Sequence, residues 1–159
     1  MAASFYDTLN RQVTALLTGE DDQVAALANF SALLNDNLTD LNWVGFYLLK
    51  NDQLVLGPFQ GKVACSRIPI GKGVCGTAVE TNQTQRIADV NQFAGHIACD
   101  SASNSELVVP FRREGIVIGV LDIDSPSLSR FDEIDQSGVE TMVKSLENCL
   151  FGQSTTNYC

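Results

Sequence analysis

Apolar residues recur at helical spacing from Ser4 to about Leu17, with Phe5, Leu9, Val13 and Leu16 on one stripe and polar residues between them. That pattern predicts an amphipathic helix. Thr18-Gly19-Glu20 breaks it, and Asp21 or Asp22 is placed to cap a second helix from about Gln23 to Leu38. Leu27, Phe30, Leu34 and Leu38 form its stripe, and both helices are expected to cover one face of a sheet.

At Asn42 the period changes from helical to strand-like. Trp43-Val44-Gly45-Phe46-Tyr47-Leu48-Leu49 is rich in aromatic and branched residues, and Lys50-Asn51-Asp52-Gln53 turns into Leu54-Val55-Leu56. Gly57-Pro58 is expected to end that short strand, and Val63 to Ile70, with Cys65 near its start, reads as a third. Gly71-Lys72-Gly73 permits a tight turn into a short helix, Val74 to Thr81. A brief strand, Arg86 to Ala88, precedes a loop from Asp89 to about Ser105; loops that long in a compact domain are often functional.

Glu106 to Phe111 and Gly115 to Asp124 predict a hairpin turning at Arg112-Arg113-Glu114-Gly115. A last helix opens around Phe131 to Asp135, with Ser129 or Asp132 as cap. Ile134, Met142, Val143, Leu146 and Leu150 give its stripe, and Gly152 ends it. Two helices, antiparallel strands interrupted by a helix and a loop, then a closing helix make an α+β fold with a central antiparallel sheet flanked by helices. One domain is expected over residues 1–151, with 152–159 a flexible polar tail.

Strand alternation sorts the side chains by face. Trp43, Gly45 and Tyr47 share one face of the first strand, while Val44, Phe46 and Leu48 share the other. On the last strand Ile116, Ile118, Val120, Asp122 and Asp124 are expected on one face, so an apolar row turns acidic at its end. A tight hairpin brings Glu106 towards Asp122 and Asp124. Three carboxylates at one sheet end make a candidate general acid or cation site, since burial and mutual repulsion raise carboxyl pKa values. Each taken singly is equally a solvated charge or a cap.

Composition narrows the partners. With 10 basic against 19 acidic residues the formal charge is −9, and the positive residues are scattered. That argues against nucleic acid and against an anionic membrane surface. No apolar run reaches membrane-spanning length and the N-terminus does not read as a signal peptide, so a cytoplasmic location is expected.

In that compartment the five cysteines are not read as a disulfide scaffold. Cys75 sits where a helix dipole can lower a thiol pKa, although packing against the sheet with Ala78 and Val79 is an equally ordinary role. Cys99 lies in the long loop, with the single histidine, His96, close before it and Asp100 after it. Cys149 falls on the apolar side of the last helix, and Cys159 is incidental. A zinc site from Cys65, Cys75, His96 and Cys99 lacks the paired spacing of structural sites, so no metal is expected. Neither a nucleophile elbow nor a phosphate-binding loop motif occurs.

Asn42-Trp43-Val44-Gly45-Phe46-Tyr47, Gly57-Pro58-Phe59-Gln60-Gly61, Ile70 to Ala78, His96-Ile97-Ala98-Cys99-Asp100, Ser105 to Pro110 and Gly119 to Ser125 together carry a resemblance to GAF domains. More narrowly, they resemble the free methionine-(R)-sulfoxide reductases. The resemblance spans about Phe5 to Leu150 and implies a thiol enzyme acting on free methionine-(R)-sulfoxide. It implies Cys99 as nucleophile, Cys65 as the resolving cysteine and Cys75 as an alternative or auxiliary partner. Trp43 and Tyr47 would line the substrate pocket, Glu106, Asp122 and Asp124 would hold its polar parts, and Glu106 or Asp124 would act as the acid. No cofactor is implied beyond thioredoxin or another dithiol as external reductant, and homodimers are frequent in such families. The competing expectation is a non-catalytic GAF sensor of a small ligand or of redox state.

Overall fold

The shift in periodicity at Asn42 is where helix gives way to sheet. In the computed structural model, which describes residues 2–96 and 102–152, the elements are α1 (Ala3–Leu17), α2 (Gln23–Asn37), β1 (Trp43–Lys50), β2 (Gln53–Gly61), β3 (Arg67–Pro69), α3 (Gly73–Thr81), β4 (Gln85–Ile87), β5 (Ser105–Arg113), β6 (Ile116–Ser125) and α4 (Glu133–Phe151). The six strands form one sheet in the order β3-β2-β1-β6-β5-β4. Every neighbouring pair is antiparallel, as the sequence pattern implied.

Two short turns set the register of the hairpins. Asn51 and Asp52 both take positive φ between β1 and β2, and Glu114 and Gly115 do so between β5 and β6. Two successive left-handed residues match the twist of the flanking strands. Asp22 caps α2 by accepting from the Ala25 N–H, and Asp132 forms a capping box with Asp135 at the start of α4.

One sheet face packs under α2 and α4. Val44 and Phe46 of β1, Leu107, Val109 and Phe111 of β5, and Leu121 and Ile123 of β6 meet Phe30 and Leu34 of α2 and Met142 and Leu146 of α4 there. The helix α1 differs from expectation: it lies chiefly against α4. Its buried side chains are Tyr6, Leu9, Val13 and Leu17, while Leu16 is exposed. The bare backbone of Gly138 on α4 receives the Tyr6 ring, which turns the stripe by one position. Ile134, expected in the α4 stripe, is exposed; Asp135 and Val139 are buried instead. Cys149 packs against this core as expected, but is disulfide-bonded rather than a simple packing thiol.

Three strand readings change. The strand β2 runs through Gly57-Pro58 instead of ending there. Its partner β3 pairs only with Gln53 to Val55, so Pro58 has no second neighbour to deprive of an N–H, and a bulge opposite Gly45–Tyr47 absorbs the irregularity. The third strand shrinks to Arg67–Pro69, leaving Cys65 in the segment before it. A bulge between Phe111 and Arg112 reverses the alternation of β6, so Ile118 packs on the helix-covered face while Val120 stays on the other. Among the described residues no helix is long and apolar enough to cross a membrane. The tail expected over 152–159 lies outside them beyond Gly152.

Candidate active site

The second sheet face is covered only in part, by α3, and holds the site. Val74, Cys75 and Ala78 of α3 pack against Val108, Val120, Leu54 and Ile68. Gly71 and Gly73, both with positive φ, bracket Lys72 as the chain turns into that helix. A Cβ on Gly76 would lie 2.5 Å from the Pro69 carbonyl oxygen, so only glycine lets the helix sit this close to the turn.

The antiparallel register assembles the acidic end. Glu106 pairs with Asp124, Val108 with Asp122, and across β1 Gly45 with Asp122 and Trp43 with Asp124. The three carboxyls are not solvated: Glu106 and Asp122 are 6% exposed and Asp124 8%. Burial first, and the Asp124 charge second, push the Glu106 carboxyl well above the usual range. Burial and the Glu106 charge do the same to Asp122. Among the described residues that line the pocket there is no lysine or arginine to offset them. Burial and mutual repulsion therefore favour the protonated form of Glu106 and Asp122. One oxygen of Asp122, Oδ1, is buried without a hydrogen-bond partner.

Aromatic rings make the facing wall. Trp43 stacks between Tyr47 and Phe59, with ring centroids 5.8 and 5.2 Å away. Gly45 between the two β1 rings is required, since its Cβ would meet the Phe59 Cβ at 2.2 Å. Both β1 rings also hold the chain that carries Cys65: Trp43 Nε1 donates to the Lys62 carbonyl (3.1 Å) and the Tyr47 hydroxyl to the Cys65 carbonyl (2.8 Å). Phe59 carried no signal in strand alternation alone; its register opposite Gly45 is what places it.

Cys65 is disulfide-bonded and lies against this face, while Cys75 is a free, buried thiol. Of the two readings of Cys75, packing against the sheet with Ala78 and Val79 is the one found, and the thiol is not lowered in pKa by the helix dipole. Burial and the neighbouring Asp122 and Glu106 push the thiol up, because a third negative charge among carboxyls is disfavoured. His96 lines the same pocket, and partial burial lowers its pKa by disfavouring the charged ring. Cys99, expected as the nucleophile, lies outside the described residues. The ends of its loop are tied at the base, where the Val90 N–H donates to the Asn104 carbonyl (2.9 Å).

Cys75, Glu106 and Asp122 bring a sulfur and two carboxylate oxygens within 4.8 Å of one another, a set that a metal ion would accept. Cys75 Sγ lies instead in hydrogen-bonding reach of Glu106 Oε2, at 4.0 Å.

A buried polar cluster facing an aromatic wall suits a small ligand with an apolar group at one end and hydrogen-bonding groups at the other. Comparison with known proteins agrees in detail. The GAF domain family model matches residues 25–150. The chain is 58% identical over 154 residues to free methionine-R-sulfoxide reductase of Escherichia coli K12, covering 97% of this chain and 92% of that protein. The chain belongs to this reductase family of GAF domains. It is also 43% identical to the Saccharomyces cerevisiae free methionine-R-sulfoxide reductase, over 86% of this chain and 81% of that one. The Staphylococcus aureus family member in complex with its substrate superposes with a TM-score of 0.88 at 55% identity, covering 91% and 95% of the two chains. The Neisseria meningitidis enzyme with its substrate gives 0.89 at 45% identity, over 92% and 89%.

Proposed function

We propose that this chain reduces free methionine-(R)-sulfoxide to methionine at the pocket between Trp43, Tyr47 and the three carboxyls, using cysteine thiols and no metal or organic cofactor. The observation that carries the reading is the buried Glu106–Asp122–Asp124 cluster facing the Trp43–Tyr47 wall. A sulfoxide sulfur is electrophilic when its oxygen is protonated or strongly hydrogen-bonded, and a neutral carboxyl supplies that proton. The aromatic rings suit the S-methyl group and the methylene chain. The ammonium group of a free amino acid matches the residual negative charge of the cluster.

The thiolate of Cys99 attacks the sulfoxide sulfur while Glu106 or Asp124 protonates the oxygen. The Cys99–substrate sulfur bond formed in the attack and the substrate S–O bond then break as the protonated oxygen transfers to Cys99, leaving a sulfenic acid and releasing methionine two electrons reduced. Cys65 then displaces water from the sulfenic acid to give a disulfide, which thioredoxin or another dithiol reduces back to two thiols. The Tyr47 and Trp43 contacts to the backbone at 62–65 support Cys65 as the resolving thiol, since they tie its segment to the pocket wall.

The direct test incubates the purified full-length protein with each epimer of free methionine sulfoxide and dithiothreitol and measures methionine. Turnover of the (R)-epimer alone is expected; absence of methionine from it overturns the reading. In a single turnover Cys99→Ser yields none. Cys65→Ser releases about one methionine per chain and then stalls with thioredoxin.

A further inference from the structure

Cys75 is where the thiol relay and the acid cluster meet, and its surroundings fit one role better than the other. Its sulfur lies 4.0 Å from Glu106 Oε2 with the S–H as donor, the Asp122 carboxyl is a second acceptor within reach of the same thiol, and the residue is 4% exposed. Glu106 and Asp122 both offer an oxygen within 4.8 Å of the sulfur. A resolving cysteine must reach a sulfenic acid as a thiolate. Cys75 is instead enclosed by groups that oppose a negative charge, in the first turn of α3, where Ala78 and Val74 pin the helix to the sheet.

A general acid must hold its proton on a defined oxygen and in a defined rotamer. Glu106 has acidic neighbours on two sides, Asp122 and Asp124, which compete with it for shared protons. Cys75 adds an uncharged donor. By donating to Oε2, the thiol leaves the carboxyl's own proton for Oε1 and restrains rotation of the group.

We propose that Cys75 is a positioning residue, a neutral thiol that donates to Glu106 and fixes the carboxyl that serves the sulfoxide oxygen, and that it takes no part in disulfide exchange. The proposal rests on the reductase reading given above. It accounts for a cysteine at a buried position where alanine would fill the apolar side alone.

The test compares Cys75→Ser and Cys75→Ala in the full chain, reading single-turnover methionine release across pH, thermal stability and the peptide map of the oxidised product. Cys75→Ala is expected to slow the chemical step by about tenfold or more and to shift the pH profile of its rate, while still releasing about one methionine per chain. Cys75→Ser, which keeps a donor, should recover most of the rate and the wild-type profile. Equal losses in the two variants with an unmoved pH profile would reduce Cys75 to packing and overturn the proposal. So would a product disulfide that contains Cys75.

If the wild-type chain makes no methionine, the reductase reading fails, and the contact is still read by the infrared S–H stretch. A hydrogen-bonded thiol band that is lost in Cys75→Ala and moves in Glu106→Gln supports the donor role. A band at the free-thiol position, unmoved in Glu106→Gln, overturns it.

Discussion

Glu106 and Asp124 stand directly opposite each other across the β5–β6 ladder, both buried, with Asp122 of β6 opposite Val108 two residues further along. Like charges in directly opposed positions destabilise a sheet. The register thus holds a cluster that the fold alone would not favour, as sites built for chemistry often do.

That cost has a pH signature. Glu106 and Asp122 have pKa values raised above their unfolded values, by burial first in both, then by the Asp124 charge at Glu106 and the Glu106 charge at Asp122. The folded state therefore keeps protons that the unfolded chain has released, and the slope of stability with pH is negative between the unfolded and folded pKa values. The stabilisation is fully present below about pH 4 and is lost as pH rises through the folded values. Thermal unfolding should show stability falling as pH rises above the ordinary carboxyl range, and Asp122→Asn should flatten that slope and raise Tm at the alkaline end by about 2–5 °C. The same variant should lose activity. A steeper decline in Asp122→Asn than in the wild type would contradict the assignment.

Tyr47 joins the aromatic wall to the cysteine segment through one hydroxyl, which donates to the Cys65 carbonyl at 2.8 Å. Tyr47→Phe keeps the ring stacked on Trp43 and removes only that bond, at a stability cost of about 1 kcal/mol. Single-turnover methionine release should change little. Formation of the disulfide should slow, so that steady-state turnover with thioredoxin falls more than the chemical step. Rapid quenching followed by thiol alkylation measures both rates on one sample. Equal slowing of the two would place the hydroxyl at the substrate instead.

Trp43 has a larger share of the pocket, since it stacks on both Tyr47 and Phe59 and its indole N–H holds the Lys62 carbonyl. Trp43→Ala removes about 3 kcal/mol or more of packing and opens the wall. Trp43→Phe keeps a ring and loses the N–H. The expected order of KM for methionine sulfoxide is wild type, then Phe, then Ala, with Ala raised about tenfold or more. Steady-state kinetics checks it, and an unchanged KM in Trp43→Ala would remove the ring from the substrate site.

Much of this site was legible because β-strands alternate with a period of two. The pairing of Trp43 with Tyr47, and the approach of Glu106 to Asp122 and Asp124, needed only that period and a tight hairpin turn at Glu114-Gly115. The misreadings fall where the period is interrupted. The bulge at Phe111–Arg112 sends Ile118 to the helix-covered face, and a bulge opposite Gly45 lets β2 continue through Pro58. Neither leaves a mark in hydropathy. The choice between the two readings of Cys75 was open for a different reason: the helix dipole is a local property visible in sequence, whereas the surrounding carboxyls arrive from β5 and β6. Phe59 was missed because its partner, Gly45, contributes no side chain to signal the contact.

The helical side offers a test free of the chemistry. Gly138 on α4 lies under the ring of Tyr6, and a Cβ there would meet Tyr6 Cγ at 2.1 Å. The ring cannot move aside cheaply, because its hydroxyl donates to the buried Asp135 (2.5 Å), whose other oxygen receives Arg130 and the Asp132 N–H of the α4 cap. Alanine normally favours a helix by about 1 kcal/mol over glycine. Overpacking at this point costs about 1–3 kcal/mol, and the loss should win because α1 must shift from α4 to accept the methyl. Gly138→Ala is therefore expected to lower stability in chemical denaturation while leaving kcat and KM of the folded fraction near wild type, as the site lies on the opposite sheet face. A stabilised Gly138→Ala would show that α1 yields freely and that the Tyr6–Asp135 bond does not hold it.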